Sequence, residues 1–190
     1  MHDIEPFYRW QDEYVASEDE RSPFYGQQYS EFAFTKKIYN YYIHPQWDEM
    51  GSKTLYLKIL YTDYPRGFTV IELIGEWNDC LYNDIMYLKR EIADHLAQHQ
   101  INKYILLADN VLNYHADDSS YYEEWFDDII EEGGWICLLN LHPHVEEEMR
   151  SIQMHHYVNL GETLNDINWR KLRPDYLFQL CNKLVTRQLT

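Results

Sequence analysis

Three runs of strand length, FTVIELIG (68–75), KYILLA (103–108) and WICLLNL (135–141), are almost wholly apolar, and the stretches between them carry helical periodicity. A strand with no polar face must be covered on both sides, as in a parallel sheet whose crossovers lay helices against it. The pattern therefore predicts KYILLA and WICLLNL as neighbouring inner strands, parallel to FTVIELIG. Between the first two runs, Asn78 or Asp79 can cap a helix with Leu81, Ile85, Leu88, Ile92 and Leu96 on one face. Between the second and third, YYEEWFDDIIEE (121–132) alternates apolar and acidic pairs. A spacing of four groups Tyr121, Trp125 and Ile129 on one side and Glu123, Asp127 and Glu131 on the other, and Gly133 closes the helix. Pro143 opens a further helix with Glu146, Glu147 and Glu148 in its first turn and Val145, Met149 and Ile152 inward. A last helix at 174–187 presents Leu177, Leu180, Cys181 and Leu184.

Upstream, TLYLKILYT (54–62) joins FTVIELIG through DYPRG, a turn-forming segment, and predicts an antiparallel pair. IYNYYI (38–43) alternates as a half-buried strand would, and His44-Pro45 ends it. Residues 1–30 show no sustained period but are rich in aromatics, including Phe7, Tyr8, Trp10 and Tyr14, and read as an arm held on the domain by those rings. The expected class is α/β, a mixed β-sheet flanked by helices, with an aromatic-rich N-terminal arm and an extra C-terminal helix. The divisions are an arm at 1–37, the α/β domain at 38–158 and a C-terminal helical extension at 159–190. At 190 residues, one core with appendages is favoured over two full domains.

The formal charge of −16 excludes a general nucleic-acid binder, which needs clustered Lys and Arg. The acidity is local: residues 111–150 hold one Lys or Arg against eleven Asp or Glu, a net −10, whereas 151–190 carry +2. The field thus has a direction and favours a partner with a basic surface. No apolar stretch is long enough to span a membrane, and MHDIEPFYRWQDE lacks the basic and apolar regions of a leader. Cys80, Cys137 and Cys181 form no CxxC and fit a reducing cytoplasm.

In a parallel sheet, ligands gather beyond the carboxyl ends of the strands. That places Glu76 and Asp79, then His115, Asp117 and Asp118, then His142 and His144 on one rim. His115, Asp117, His142 and His144 could hold a divalent metal that activates water, which makes a metal-dependent hydrolase the alternative function. His95 and His99 stand four apart on a helix without an evident third ligand, and the thiols lie in or beside apolar runs. G-x-S-x-G, P-loop and GxGxxG motifs are missing, and the reading assigns no cofactor.

From about residue 54 to 158, the order of elements resembles a STAS domain, the fold of bacterial anti-sigma-factor antagonists. FTVIELIGEWN is similar to the family's second strand and its turn, KYILLADNV to the central strand, DDSSYYEEW to the Asp-Ser-Ser start of a helix, and WICLLNLHPHVEEEM to the last strand, Asn turn and closing helix. The chain departs from the family where Tyr121, not Gly, follows Ser120 and where HADD lengthens the loop after the central strand. The resemblance implies a cytoplasmic, non-enzymatic regulatory module that binds a protein around the acidic helix 119–132. The contact residues would be Asp117, Asp118, Ser119, Ser120, Glu123, Asp127 and Glu131. Ser119 and Ser120 stand where the family places a regulatory serine, but the reading favoured from the residues is that Ser119 or Asp118 is the helix N-cap, and the neighbouring acids Asp117, Asp118, Glu123 and Glu124 disfavour a phosphate there. Homo-oligomers are compatible with this reading, and neither nucleic acid nor membrane is an expected partner.

Overall fold

The computed structural model describes residues 3–188. Strands β1 (Lys37–Ile38) and β2 (Tyr41–Tyr42) form a small hairpin, and β3 (Leu55–Asp63), β4 (Phe68–Asn78), β5 (Lys103–His115) and β6 (Trp135–Leu139) form a four-stranded sheet in that spatial order. β3 and β4 are antiparallel, whereas β4–β5 and β5–β6 are parallel. This is the mixed sheet that the apolar runs predict. β6 is an edge strand rather than an inner one, and among the described residues one residue pairs with its outer edge. The Asn159 amide donates to Ile136 O at 2.8 Å and its carbonyl accepts from Leu138 N–H at 2.9 Å.

β4 and β5 both outrun their apolar segments. Their ladder continues from Glu72–Leu107 to Asn78–His115 across two register shifts, so backbone pairing carries Asn110 and Asn113 into a strand that their side chains would not specify. The stretch HADD is therefore mostly loop beyond a long strand. At Gly75, φ is +121° and a Cβ would lie 2.1 Å from the Thr54 carbonyl oxygen, so only glycine fits this irregularity.

The segment after β4 is not one helix. Asn83 adopts the left-handed conformation at φ 53°, which separates α1 (Asp79–Tyr82) from α2 (Asp84–Tyr87), and a π-helical stretch (Leu88–Ala93) leads into α3 (Asp94–Ala97). Ile85, Leu88, Ile92 and Leu96 are buried as their spacing requires, but Leu81, on the far side of the break, is 72% exposed. IYNYYI likewise departs from a single strand. Tyr39 turns the chain at φ 53°, leaving Ile38 and Ile43 buried and Tyr39, Tyr41 and Tyr42 exposed.

The remaining helices are α4 (Ser120–Ile130), α5 (Pro143–Ser151), α6 (Glu162–Asn165) and α7 (Pro174–Gln188). The sheet has two differently built faces. On one, Leu57, Ile59, Ile71, Leu73, Tyr104 and Leu106 meet Leu88, Ile92, Trp125, Ile129, Val145 and Met149 from the helices between and after the strands. On the other, Val70, Ile105, Leu107 and Cys137 meet Trp10 of the arm, Trp169, and Leu177, Cys181 and Val185 of α7. Arm and C-terminal segment therefore act as the second cover that a two-sided apolar sheet needs.

Candidate functional site

The acidic helix α4 turns Trp125 and Ile129 inward as its periodicity predicts, but the tyrosine buried with them is Tyr122, whose hydroxyl bonds Asp79, and Tyr121 is only half-buried. Tyr122, Trp125 and Ile129 are buried, Glu123, Asp127 and Glu131 are exposed, and Gly133, at φ 70°, donates to Ile130 O at 3.0 Å to close the helix. Its N-terminus is held by Asp118. Asp118 Oδ1 accepts the Ser120 N–H at 2.9 Å and the Ser120 hydroxyl, and both bonds hold the carboxyl below its ordinary range. Ser119 occupies the capping position without a side-chain capping bond, so the cap belongs to its neighbour.

The acids of α4 divide into two sets, a division not visible in their spacing. Glu124 accepts from Arg90 (Nη2 to Oε2, 2.8 Å), and Asp128 accepts from the buried Lys89 at 2.8 Å. Burial works against the Lys89 charge, but its bonds to Asp128 and Asp94 outweigh this and raise its pKa. Glu123, Asp127, Glu131 and Asp117 have no cationic partner among the described residues and face water. The inward-leaning acids bolt α4 to the helical segment at 88–94, and the outward ones remain available to another molecule.

The strand-end histidines do not converge on one site, although the His142 and His144 rings stack with centroids 5.8 Å apart. His115 faces Glu76 at 3.3 Å. His142 and His144 each point Nε2 at a β5 carbonyl, Asp109 O at 3.1 Å and Leu112 O at 2.7 Å, and so donate to the edge of β5 that β6, ending at Leu139, leaves uncovered. Asp117 stands exposed in the loop. Among the described residues no group of three His, Cys, Asp or Glu could hold a metal, and the hydrolase alternative gains no support. His95 bonds Arg21 O and packs against His99, with ring centroids 5.6 Å apart.

Asp79, expected on that rim, is instead buried beneath α4. It accepts from Tyr122 Oη at 2.6 Å, Tyr114 Oη at 3.0 Å, Trp77 Nε1 at 3.0 Å and Ile85 N at 2.8 Å. Burial raises its pKa to about 6 against the pull of those four donors. One carboxyl thus ties β4, β5, α2 and α4 together. A second node lies on the opposite face. Glu72, alone among the apolar residues of β4, is 2% exposed and accepts from Phe7 N at 2.8 Å and Arg170 at 3.4 Å, while Arg170 also donates to Asp109 at 2.6 Å. Burial lifts Glu72 to about 7 despite these partners. The sequence held one signal for it, a carboxylate inside an otherwise apolar run; Arg170 and Asp109, far away in the chain, gave none.

No known family profile matches the chain, and neither does any curated protein. Among solved structures it is similar to a Thermotoga maritima protein assigned as an anti-sigma factor antagonist, at 19% identity over 58% of this chain and 87% of that one, with a TM-score of 0.42. It is also similar to the anti-sigma factor antagonist SpoIIAA in its unphosphorylated form, at 15% identity over 56% and 88% of the two chains, TM-score 0.41. The phosphorylated form of the Bacillus cell fate determinant SpoIIAA gives 15% identity, 56% and 91% coverage, and a TM-score of 0.39. No helix among the described residues is long and apolar enough to cross a membrane.

Proposed function

We propose that this chain is a regulatory protein-interaction module that works in the cytoplasm and binds a partner of basic surface through the outer face of α4 and the loop before it. The observation that carries the reading is the division of acids on α4. Glu124 and Asp128 are spent on internal cations, whereas Glu123, Asp127 and Glu131 on α4 and Asp117 in the loop before it are exposed and without a cationic partner among the described residues. Exposed like charges on one face accelerate encounter with a basic partner and add little to fold stability. The cytoplasmic assignment is supported by three free cysteines, two of them buried. Ser119 and Ser120 stay candidates for modification in this reading, Ser119 being the one whose hydroxyl makes no capping bond.

The test is charge reversal of Glu123, Asp127 and Glu131 to Lys, with reversal of Glu147 and Glu148 on α5 as the control surface. Wild-type protein and the α5 variant should retain the same captured partner from native extract, and that capture should weaken as salt shortens the screening length. The α4 variant, shown folded by circular dichroism, should lose it. Equal capture by all three proteins removes α4 as the interface.

A further inference from the structure

A cavity of about 630 Å³, away from α4, opens at the free edge of the sheet between the N-terminal arm and β3. Its floor is Lys58, Ile59 and Leu60. Among the described residues, the only residue paired to that edge is Asp48, opposite Leu57, which closes one end. The other end is closed where the arm crosses the strand and the Tyr14 ring meets Tyr61 at 6.0 Å. About three residues of strand edge remain between these stops, too few for an added β-strand, whose usual length is about five or six. The space instead has the volume of a small-molecule site.

The lining fixes the class of molecule. Two aromatic rings stand at the mouth with much of their surface in water, Tyr8 at 62% and Phe32 at 88% exposure, and Phe7 lies behind them. The charges are also decisive. Lys58, the cation on the floor, is already neutralised by Asp48 at 3.1 Å, donates to Gln46 O at 2.9 Å and lies 3.6 Å from the centroid of the Tyr29 ring. Of the two carboxylates at the rim, Glu5 meets His44 at 3.5 Å and Glu31 is exposed, and among the described residues neither has a Lys or Arg partner. Aromatic faces beside uncompensated carboxylates attract an organic cation and repel an anion of the same shape.

We infer that this cavity is a binding site for a small organic cation, a protonated amine on a flat apolar body, with the body between Phe7, Tyr8 and Phe32 and the ammonium toward Glu5 and Glu31. The inference does not depend on α4 and survives loss of the protein interface. Tryptamine and its anionic counterpart indole-3-propionate are the probes, titrated by calorimetry into the whole protein. Tryptamine should bind at least about tenfold more tightly than the anion, a difference of about 1.4 kcal/mol. Glu31→Gln should narrow that ratio to about threefold, and Val15→Trp, which fills the cavity from the arm, should abolish binding of both while the circular dichroism spectrum is unchanged. Equal affinities for the two probes, no heat from tryptamine, an unaltered ratio in the Glu31 variant, or full binding by the folded Val15 variant would each overturn the assignment.

Discussion

The two faces of the sheet are apolar to a similar extent but are covered by different means. The helical face is closed by segments that lie between or directly after the strands, and its buried carboxyls are held by neutral donors, Asp79 by four of them and Asp84 by Asn78 N–H and the Thr54 hydroxyl. The opposite face is closed by the two ends of the chain, and charged groups run across it: Lys58 with Asp48, then Glu72 with Arg170 and Asp109. The local crossovers are packed mainly by apolar side chains, with one buried cation, Lys89, joining α4 to the segment at 88–94. Distant segments that must find one register on a sheet are instead pinned by groups that accept few partners.

The largest expected effect breaks the helical face. Ile129→Asp places a charge on a side chain that is 2% exposed in the core under α4, and should cost more than about 4 kcal/mol, so that the variant shows no cooperative thermal transition. A melting temperature near wild type would show that α4 is not packed as described.

The opposite face should reveal itself through pH. Glu72 titrates near 7 in the folded chain, against an ordinary value near 4 when unfolded. The folded state then binds the extra proton, so this contribution is fully present below about pH 4 and is lost as pH rises through 7. Between pH 5 and 8 the loss should amount to about 2 to 3 kcal/mol, read from denaturant midpoints, and Glu72→Gln should remove most of it. Asp79 acts in the same direction, but its window closes about one pH unit lower, near 6. A slope unchanged by Glu72→Gln would place the titration elsewhere.

Within α4 the two sets of acids should separate. Asp128→Asn weakens the support of the buried Lys89 and should cost about 1 to 2 kcal/mol, whereas Asp127→Asn should stay within about 0.5 kcal/mol. Spacing alone places both among solvent-facing acids and predicts no effect for either. The smallest effect concerns the cap. Asp118→Ala should cost about 1 kcal/mol and Ser119→Ala about half of that or less, since only Asp118 bonds the first turn. Equal costs would return the cap to Ser119.

The sheet and α4 were legible because a burial requirement repeats along the chain: unbroken apolar runs in the strands and a four-residue stripe that placed Trp125 and Ile129 inward, although Tyr122 rather than Tyr121 is the tyrosine that joins them. The exposed acids of the candidate interface followed from the same stripe. Breaks set by one backbone conformation were not legible. Asn83 and Tyr39 each take a positive φ, which turns an expected helix into short pieces and an expected strand into a hairpin. Pairings between distant segments were equally silent, because nothing near Glu72 announces Arg170, and nothing near Asp128 distinguishes it from Asp127 until Lys89 is placed. The histidine rim failed for a related reason. Its members follow strand ends as expected, but two of them donate to carbonyls of β5 that end up with no neighbouring strand.

The single residue bound along β6 bears on the solubility of shortened forms of the protein. Asn159 occupies the outer hydrogen-bonding positions of Ile136 and Leu138 with its own backbone, and its side-chain amide adds a further bond to Ile136 O at 2.9 Å. Beneath it runs WICLL, five buried residues without a charge, the kind of segment that recruits like strands from other molecules once its edge is bare. A fragment ending at residue 158 would keep every strand of the sheet yet present that edge to its own copies, and it should polymerise in solution where the longer chain does not.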